Sequence, residues 1–301
     1  MRIVRARALG FCFGVRRAIE VVAEAAEERG SIDSLGSIVH NPVVMEGLAA
    51  KGVRVVQGLD DVKGDTLAVT AHGRGPEIVE EAAQRGLVLI DATCPIVRKS
   101  QKAAQALCAG GLKVIIYGEE NHPEVRGVLA WTDGKGTAIL DPEADIDIPR
   151  RKVALLAQTT KSEESFADFV ARFVSHNIGR INEMRIVNTT CPETDARYHA
   201  ARELAAECGL LIVVGARSSA NTCKLAQTCA STGVETHHIE RAQEIDPAWL
   251  RAKEAVGVTA GASTPDQSID EVVARLEELG KQRDAKGRRA RRRVPPSPVG
   301  A

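Results

Sequence analysis

From end to end the chain repeats one pattern: a short apolar run, a polar corner, then an amphipathic stretch with helical spacing. "RIVRA" leads to Cys12 and a helix from about Val15. "GSIVH" leads to His40, "TLAVTAHG" to His72, "LVLIDATCP" to Cys94 and "KVIIYGEENHPE" to His122. "VALLAQTT" leads to Thr159, "MRIVNTTC" to Cys191, "LLIVVGARSSANT" to Ser219 and Asn221, and "AVGVTAGASTPD" to Ser263. Continuous Val/Ile/Leu runs alternating with helices predict an α/β fold whose parallel sheets are covered on both faces. Glycine closes the helices in "ERG", "AKG", "QRG", "AGG", "ECG", "STG" and "ELG", where a residue past the last turn must adopt positive φ. Pro42, Pro76, Pro95 and Pro192 stand at or near helix starts, where a missing N–H costs nothing.

Parallel α/β sheets bind ligands at the carboxyl ends of their strands. Each unit here offers a reactive or hydrogen-bonding side chain at that end. The cysteines Cys12, Cys94 and Cys191 recur 82 and 97 residues apart, which predicts three similar lobes of three units each. The expected bounds are 13–94, 95–190 and 191–280, with the N-terminal strand 1–12 joined to the third lobe. If the strand ends converge, the three thiols meet.

Composition narrows the classes. Hydrophobic residues make up 44% of the 301-residue chain and charged residues 27%, ordinary for a globular protein with a core. Aromatics at 3% argue against stacking platforms for single-stranded nucleic acid. No apolar run is long enough for a membrane span. The N-terminus reads as strand and helix rather than a secretory signal, so a cytoplasmic location is expected. Seven cysteines without a CxxC pair argue against a disulfide scaffold, a zinc ribbon and a thioredoxin motif. The net charge of zero hides an asymmetry: residues 281–301 hold eight Lys/Arg and one Asp. That basic stretch is expected to be a disordered, solvated tail rather than a nucleic-acid contact.

Three converging thiolates suit soft metals, iron–sulfur clusters above all. A helix N-terminus beside each cysteine is expected to lower its pKa. Cys108, Cys208, Cys223 and Cys229 are assigned to packing. His40, His72 and His122, with the hydroxyls and amide of "SSAN" and "GAS", form a donor-rich set suited to an anion such as a diphosphate. No GxGxxG or GxxxxGK[ST] is present, so dinucleotide and P-loop readings lose support. Glu124 is the carboxylate in this set placed for proton transfer; the alternative is an ordinary first-turn helix carboxylate.

These residues resemble the 4-hydroxy-3-methylbut-2-enyl diphosphate reductase (LytB/IspH) family. The likeness runs through "GFCFGVRRAIE", "VHNPVV", "AHG", "DATCPIV", "NHPEVRG", "AQTT", the Cys191 segment with Thr194 and Arg197, "SSANT" and "GVTAGASTPD". It covers residues 1 to about 280 in order. The resemblance implies a trefoil of three pseudo-symmetric α/β lobes around a central 4Fe–4S cluster. Cys12, Cys94 and Cys191 would hold three irons, leaving one open to the substrate's allylic hydroxyl. Two electrons and two protons would remove that hydroxyl as water and leave isopentenyl and dimethylallyl diphosphate. Carried over by motif, His40, His72, His122, Ser219, Asn221 and Ser263 would bind the diphosphate. Glu124 would relay the proton, with His122 and Thr159 beside it. Electrons would come from an external donor such as ferredoxin or flavodoxin, since no nicotinamide or flavin site is evident. Two positions depart from the family pattern: Tyr198 where Gln is usual, and Ala220 where a second Ser is frequent. Loss of that hydroxyl should weaken diphosphate binding by about 1 kcal/mol. Outside the enzyme class, the same thiolates would also serve a redox sensor whose basic tail touches nucleic acid; within it, a zinc-dependent hydrolase.

Overall fold

The computed structural model describes residues 1–292, with side chains through residue 285. The described chain forms two compact units: Phe11–Ala196, and Met1–Gly10 together with the chain from Arg197 onward.

The first unit holds two sheets. In one, β2 (Ile32–Leu35), β3 (Val53–Val56), β4 (Thr66–Val69) and β5 (Val88–Asp91) lie in the order β3-β2-β4-β5, all parallel. Its helices are α1 (Phe13–Arg29), α2 (Pro42–Ala50) and α3 (Pro76–Gln84). Ala18, Val22 and Ala25 recur at helical spacing along α1 and bury against Ile32, Val53 and Ala68. In the other sheet, β6 (Lys113–Tyr117), β7 (Thr137–Ile139), β8 (Lys152–Ala157) and β9 (Glu183–Ile186) lie in the order β7-β6-β8-β9, again parallel. This sheet shows why its strands read as unbroken apolar runs. Ile115, Val153 and Leu155 meet Phe166, Phe169 and Phe173 of α6 (Glu163–Asn177) on one face. The alternate residues Val114, Ile116, Ala154 and Leu156 meet Ala104, Leu107 and Cys108 of α4 (Pro95–Ala109) on the other. Period-two alternation with both faces covered leaves no polar position in β6 between Lys113 and Tyr117 or in β8 after Lys152. Phe173 is fully buried, so its truncation to Ala costs about 3–5 kcal/mol. The short α5 (Pro123–Leu129) completes this lobe.

In the second unit, β1 (Arg2–Arg5), β10 (Leu210–Val214), β11 (Thr236–Ile239) and β12 (Ala255–Ala260) lie in the order β1-β12-β10-β11. Leu210, Ile212, Val256 and Val258 pack toward Ile269, Val272 and Leu276 of α9 (Asp266–Arg292). Leu211 and Val213 pack toward residues of α7 (Pro192–Glu207) and α8 (Ala220–Ala230). When β1 is counted as the last strand of its sheet, all three sheets share one order: second, first, third, fourth. Each fourth strand, β5, β9 or β1, is an edge strand that is only partly buried. Each one runs on in sequence to a cysteine: Cys94, Cys191 or Cys12.

The structure corrects several expectations. The strand before His40 is Ile32–Leu35, not "GSIVH"; Gly36, at φ +88°, begins a loop instead. That strand contains Asp33, whose polarity disguised it. Asp33 is buried, and its carboxylate accepts from the amides of Lys63 (2.7 Å) and Gly64 (3.2 Å) and from Arg54. Burial pushes its pKa up, but those donors outweigh it and the net direction is down. The helix expected to end at Gly280 continues to Arg292. Residues 281–292 of the expected disordered tail are therefore helical, since Lys, Gln, Arg and Ala all favour helix. The rest of the tail, 293–301, lies outside the described residues.

Candidate functional site

In the first unit, backbone hydrogen bonds tie each cysteine corner to the corner of the neighbouring third strand. The Cys94 amide donates to the Ala71 carbonyl (3.0 Å), and the Cys191 amide donates to the Thr159 carbonyl (2.9 Å). Because β4 and β5 run parallel in register, as do β8 and β9, their ends arrive together. Cys12 is the N-cap of α1, its sulfur accepting from the Val15 amide at 3.4 Å. Arg17 of α1 donates to the Thr93 carbonyl beside Cys94. Gly14 lets the two corners close: a Cβ there would stand 2.5 Å from the Cys94 sulfur.

All three thiols are half-buried and free. Burial raises the pKa of Cys94, with the nearby Cys12 and Glu124 adding to the rise and the Ile96 and Val97 amides opposing it. Burial also raises Cys191, with Cys12 and Cys94 contributing and the Glu193 and Thr194 amides opposing it. The expectation that helix N-termini hold these two cysteines as thiolates is thus overturned: desolvation outweighs the amides. A bound cation is what would deprotonate them. Among the described residues no three His, Cys, Asp or Glu side chains converge closely enough for a single ion. Cys12, Cys94 and Cys191 act on one another electrostatically, and three cysteine sulfurs are a donor set that suits an iron–sulfur cluster.

Beside the thiols stand the three imidazoles. Ring centroids are 4.6 Å apart for His40 and His72, 5.6 Å for His72 and His122, and 6.0 Å for His40 and His122. Burial lowers the pKa of each, most strongly for His72, which is also repelled by His40, His122 and Arg74. The rings are therefore neutral near pH 7. His122 Nδ1 accepts from the Glu124 amide at 3.2 Å, so its proton sits on Nε2. His122 caps α5 and thereby brings Glu124 into the interior.

Glu124 is 3% exposed. One carboxylate oxygen accepts from the Thr159 amide (2.6 Å) and the other from the Thr159 hydroxyl (2.7 Å). Burial raises its pKa; the two Thr159 bonds and the charge of Lys161 only partly offset that. A buried carboxyl with a raised pKa, bonded to a hydroxyl, can store a proton and pass it through that hydroxyl. Lys161 is itself paired with Glu119 at 3.0 Å.

The remaining candidates lie in the second unit, at the ends of neighbouring strands. Ser219 is the N-cap of α8, its hydroxyl oxygen accepting from the Thr222 amide at 3.3 Å. Asn221 lies in the first turn of that helix, partly exposed, and Ser263 is buried in the turn after β12. The register Val214↔Ala260 puts both turns at the same level of the sheet.

A family model for LytB protein matches residues 3–277. The chain belongs to the LytB family. Among its LytB relatives is a 4-hydroxy-3-methylbut-2-enyl diphosphate reductase of Dehalococcoides mccartyi. It is 41% identical over 281 residues, 93% of this chain and 99% of its own. A protein of the same name from Geobacter metallireducens is 41% identical over 280 residues, 93% of this chain and 98% of its own. The solved E-1-hydroxy-2-methyl-but-2-enyl-4-diphosphate reductase of Plasmodium falciparum superposes with a TM-score of 0.83 at 28% identity. It covers 91% of this chain and 87% of that one. A second solved structure, an (E)-4-hydroxy-3-methyl-but-2-enyl diphosphate reductase described as the terminal enzyme of the non-mevalonate pathway, gives 0.71 at 37% identity. It covers 92% of this chain and 100% of that one. The α/β class with parallel sheets, expected from the hydrophobic pattern, is thus the fold of this LytB chain.

Several neighbours of the site escaped the sequence reading. Gly14 and Arg17 are hidden within "GFCFGVRR", and Lys161 follows "AQTT" by one residue. Tyr198, noted as a departure from the family pattern, is buried among Ala6, Ala201, Leu204 and Leu211 in the core of its lobe.

Proposed function

We propose that this LytB-family chain is an iron–sulfur reductive dehydroxylase. Its reaction takes 4-hydroxy-3-methylbut-2-enyl diphosphate, two electrons and two protons to isopentenyl or dimethylallyl diphosphate and water, as the last step of the non-mevalonate isoprenoid pathway. The observation that carries the reading is the buried Glu124, both of whose oxygens accept from Thr159, beside three imidazoles and three thiols. Cys12, Cys94 and Cys191 would hold a 4Fe–4S cluster. When bound, such a cluster supplies electrons one at a time and an open iron that acts as a Lewis acid.

The protein's own groups do the rest. His40, His72 and His122, together with Ser219, Asn221 and Ser263, hold the diphosphate and so fix the short apolar chain of the substrate. The imidazoles start neutral and can take up protons as the anion arrives. Burial favours the protonated form of Glu124, which gives its proton through the Thr159 hydroxyl to the departing oxygen. The electrons come from an external carrier such as ferredoxin or flavodoxin, and the enzyme works in the cytoplasm beside it. The lobe bounds 13–94, 95–190 and 191–280, with strand 1–12 joined to the third, belong to the same reading, with Cys94 and Cys191 at lobe boundaries and Cys12 at the end of the N-terminal strand.

The test is anaerobic turnover of the hydroxy-allylic diphosphate by Glu124→Gln. The variant should keep its cluster and lose about two to four orders of magnitude in kcat. Full activity would remove Glu124 from the mechanism.

A further inference from the structure

Two cations next to the histidines have no part in the account so far. Arg74 follows His72 by two residues, and Arg126 follows Glu124 by two. Their backbones are pressed together. A Cβ on Gly127 of α5 would lie 3.1 Å from the Gly73 carbonyl oxygen and 3.2 Å from that of His72. A side chain there would push α5 and the loop after β4 apart by a few tenths of an ångström. Arg74 and Arg126 flank that contact, one on each side.

The guanidinium of Arg74 is half-buried. Its Nη2 donates to the Leu35 carbonyl, while its Nε–H is buried without a partner among the described residues. The hydroxyl oxygen of Thr70, at the end of the same strand, is also buried and unpartnered. Both side chains border Gly36. The Arg126 side chain is exposed and makes no ion pair or hydrogen bond among the described residues. Glu77 folds back on Gly75, yet comes within ion-pair distance of neither arginine. Burial, then the charge of Arg126, depress the pKa of Arg74, and Arg74 in turn acts on His72. Positive charge thus steps inward from exposed Arg126 to half-buried Arg74, which acts on the neutral His72. Adjacent like charges left without a carboxylate cost stability, and their field draws anions toward the site.

We propose that Arg126 and Arg74 form a cationic entry track to the histidine cluster, and that the idle Arg74 Nε–H becomes a further donor to the outer phosphate of an incoming organic diphosphate. The track rests on the diphosphate reading of the site, but it can be tested apart from turnover. Arg126 acts at long range, so its effect is screened by salt. Arg74 acts by direct hydrogen bonding as well as by charge.

The probe is inorganic diphosphate, titrated calorimetrically into the full-length, anaerobically purified protein at low and at physiological salt. Arg126→Gln should weaken binding about three- to fivefold at low salt and flatten its salt dependence. Arg74→Gln should weaken it about tenfold or more, while Arg74→Lys restores the salt dependence but not the full affinity. With the substrate itself, the losses should fall on KM rather than kcat. If Arg74 only pins the Leu35 loop, Arg126→Gln will bind diphosphate like the wild type with the same salt slope, and the track is wrong. Because Arg126 is exposed, that variant decides the matter even if Arg74→Gln fails to fold. Diphosphate binding by the wild type without turnover of the allylic alcohol would sink the reductase reading and leave the track standing.

Discussion

The sheet of β2–β5 and the sheet built from β10–β12 with β1 repeat one strand order, yet they finish in different chemistry. In the first, the corners after the first and third strands carry His40 and His72, whose rings lie 4.6 Å apart and whose pKa values are lowered by burial. In the second, the matching corners carry Ser219, Asn221 and Ser263, and the Ser219 hydroxyl is already engaged in capping α8. The fourth corner does not vary: Cys94 follows one sheet's fourth strand and Cys12 the other's. The repeated skeleton therefore keeps a cysteine after the fourth strand and leaves the side chains at the other corners free to differ. Imidazoles change charge near neutral pH, whereas hydroxyls and amides do not. One region is tunable by protons and the other is not.

The sharpest way to break this comparison is to remove a constant corner. Cys94→Ser should lose cluster iron and reduce turnover more than about 100-fold, beyond what loss of a merely supporting residue costs. Retained iron and turnover would mean that the thiol positions are incidental. Next in size is His72→Asn, which should raise KM about tenfold. It should also reduce the proton uptake that accompanies diphosphate binding, read from calorimetry in buffers of different ionisation enthalpy. The sign for the unliganded fold follows from the depressed imidazole pKa values. Stability is full above the unfolded value of 6.5 and falls as pH drops below it, because the unfolded chain accepts protons that the buried rings refuse. Urea unfolding between about pH 7.5 and 5.5 checks this, and His72→Asn should flatten the decline. The smallest effect belongs to the other region. Ser219→Ala should cost about 1 kcal/mol through loss of the α8 cap, at every pH in that range.

Much of this was legible in the sequence. Fully buried strands such as β8 and β10 announce themselves as apolar runs because helices cover both faces. β3, β7 and β11 do not. They are three or four residues long, and β3, β7 and β11 each lie at the edge of a sheet, where "TAI" or "THHI" has no long helix after it to frame it. β2 was misplaced by four residues because Asp33 and Ser34 look like a turn, and only the tertiary donors Arg54, Lys63 and Gly64 make burial of Asp33 tolerable. The corner residues were readable because they stand where a strand ends and a helix begins. What could not be read was how Cys94 and Cys191 balance burial against helix amides, since desolvation depends on neighbours far away in sequence. Gly14 and Gly127 were equally silent: a glycine that permits a close approach looks like any other until the approaching atom is known.

The central claim is that the three constant corners hold one cluster with an iron open to substrate. Anaerobic purification, then iron and acid-labile sulfide per chain, with the spectrum recorded before and after the hydroxy-allylic diphosphate is added, tests it most directly. The account predicts about four of each per chain and a change in the spectrum on adding substrate. A protein without iron, or with a cluster indifferent to the substrate, would contradict it.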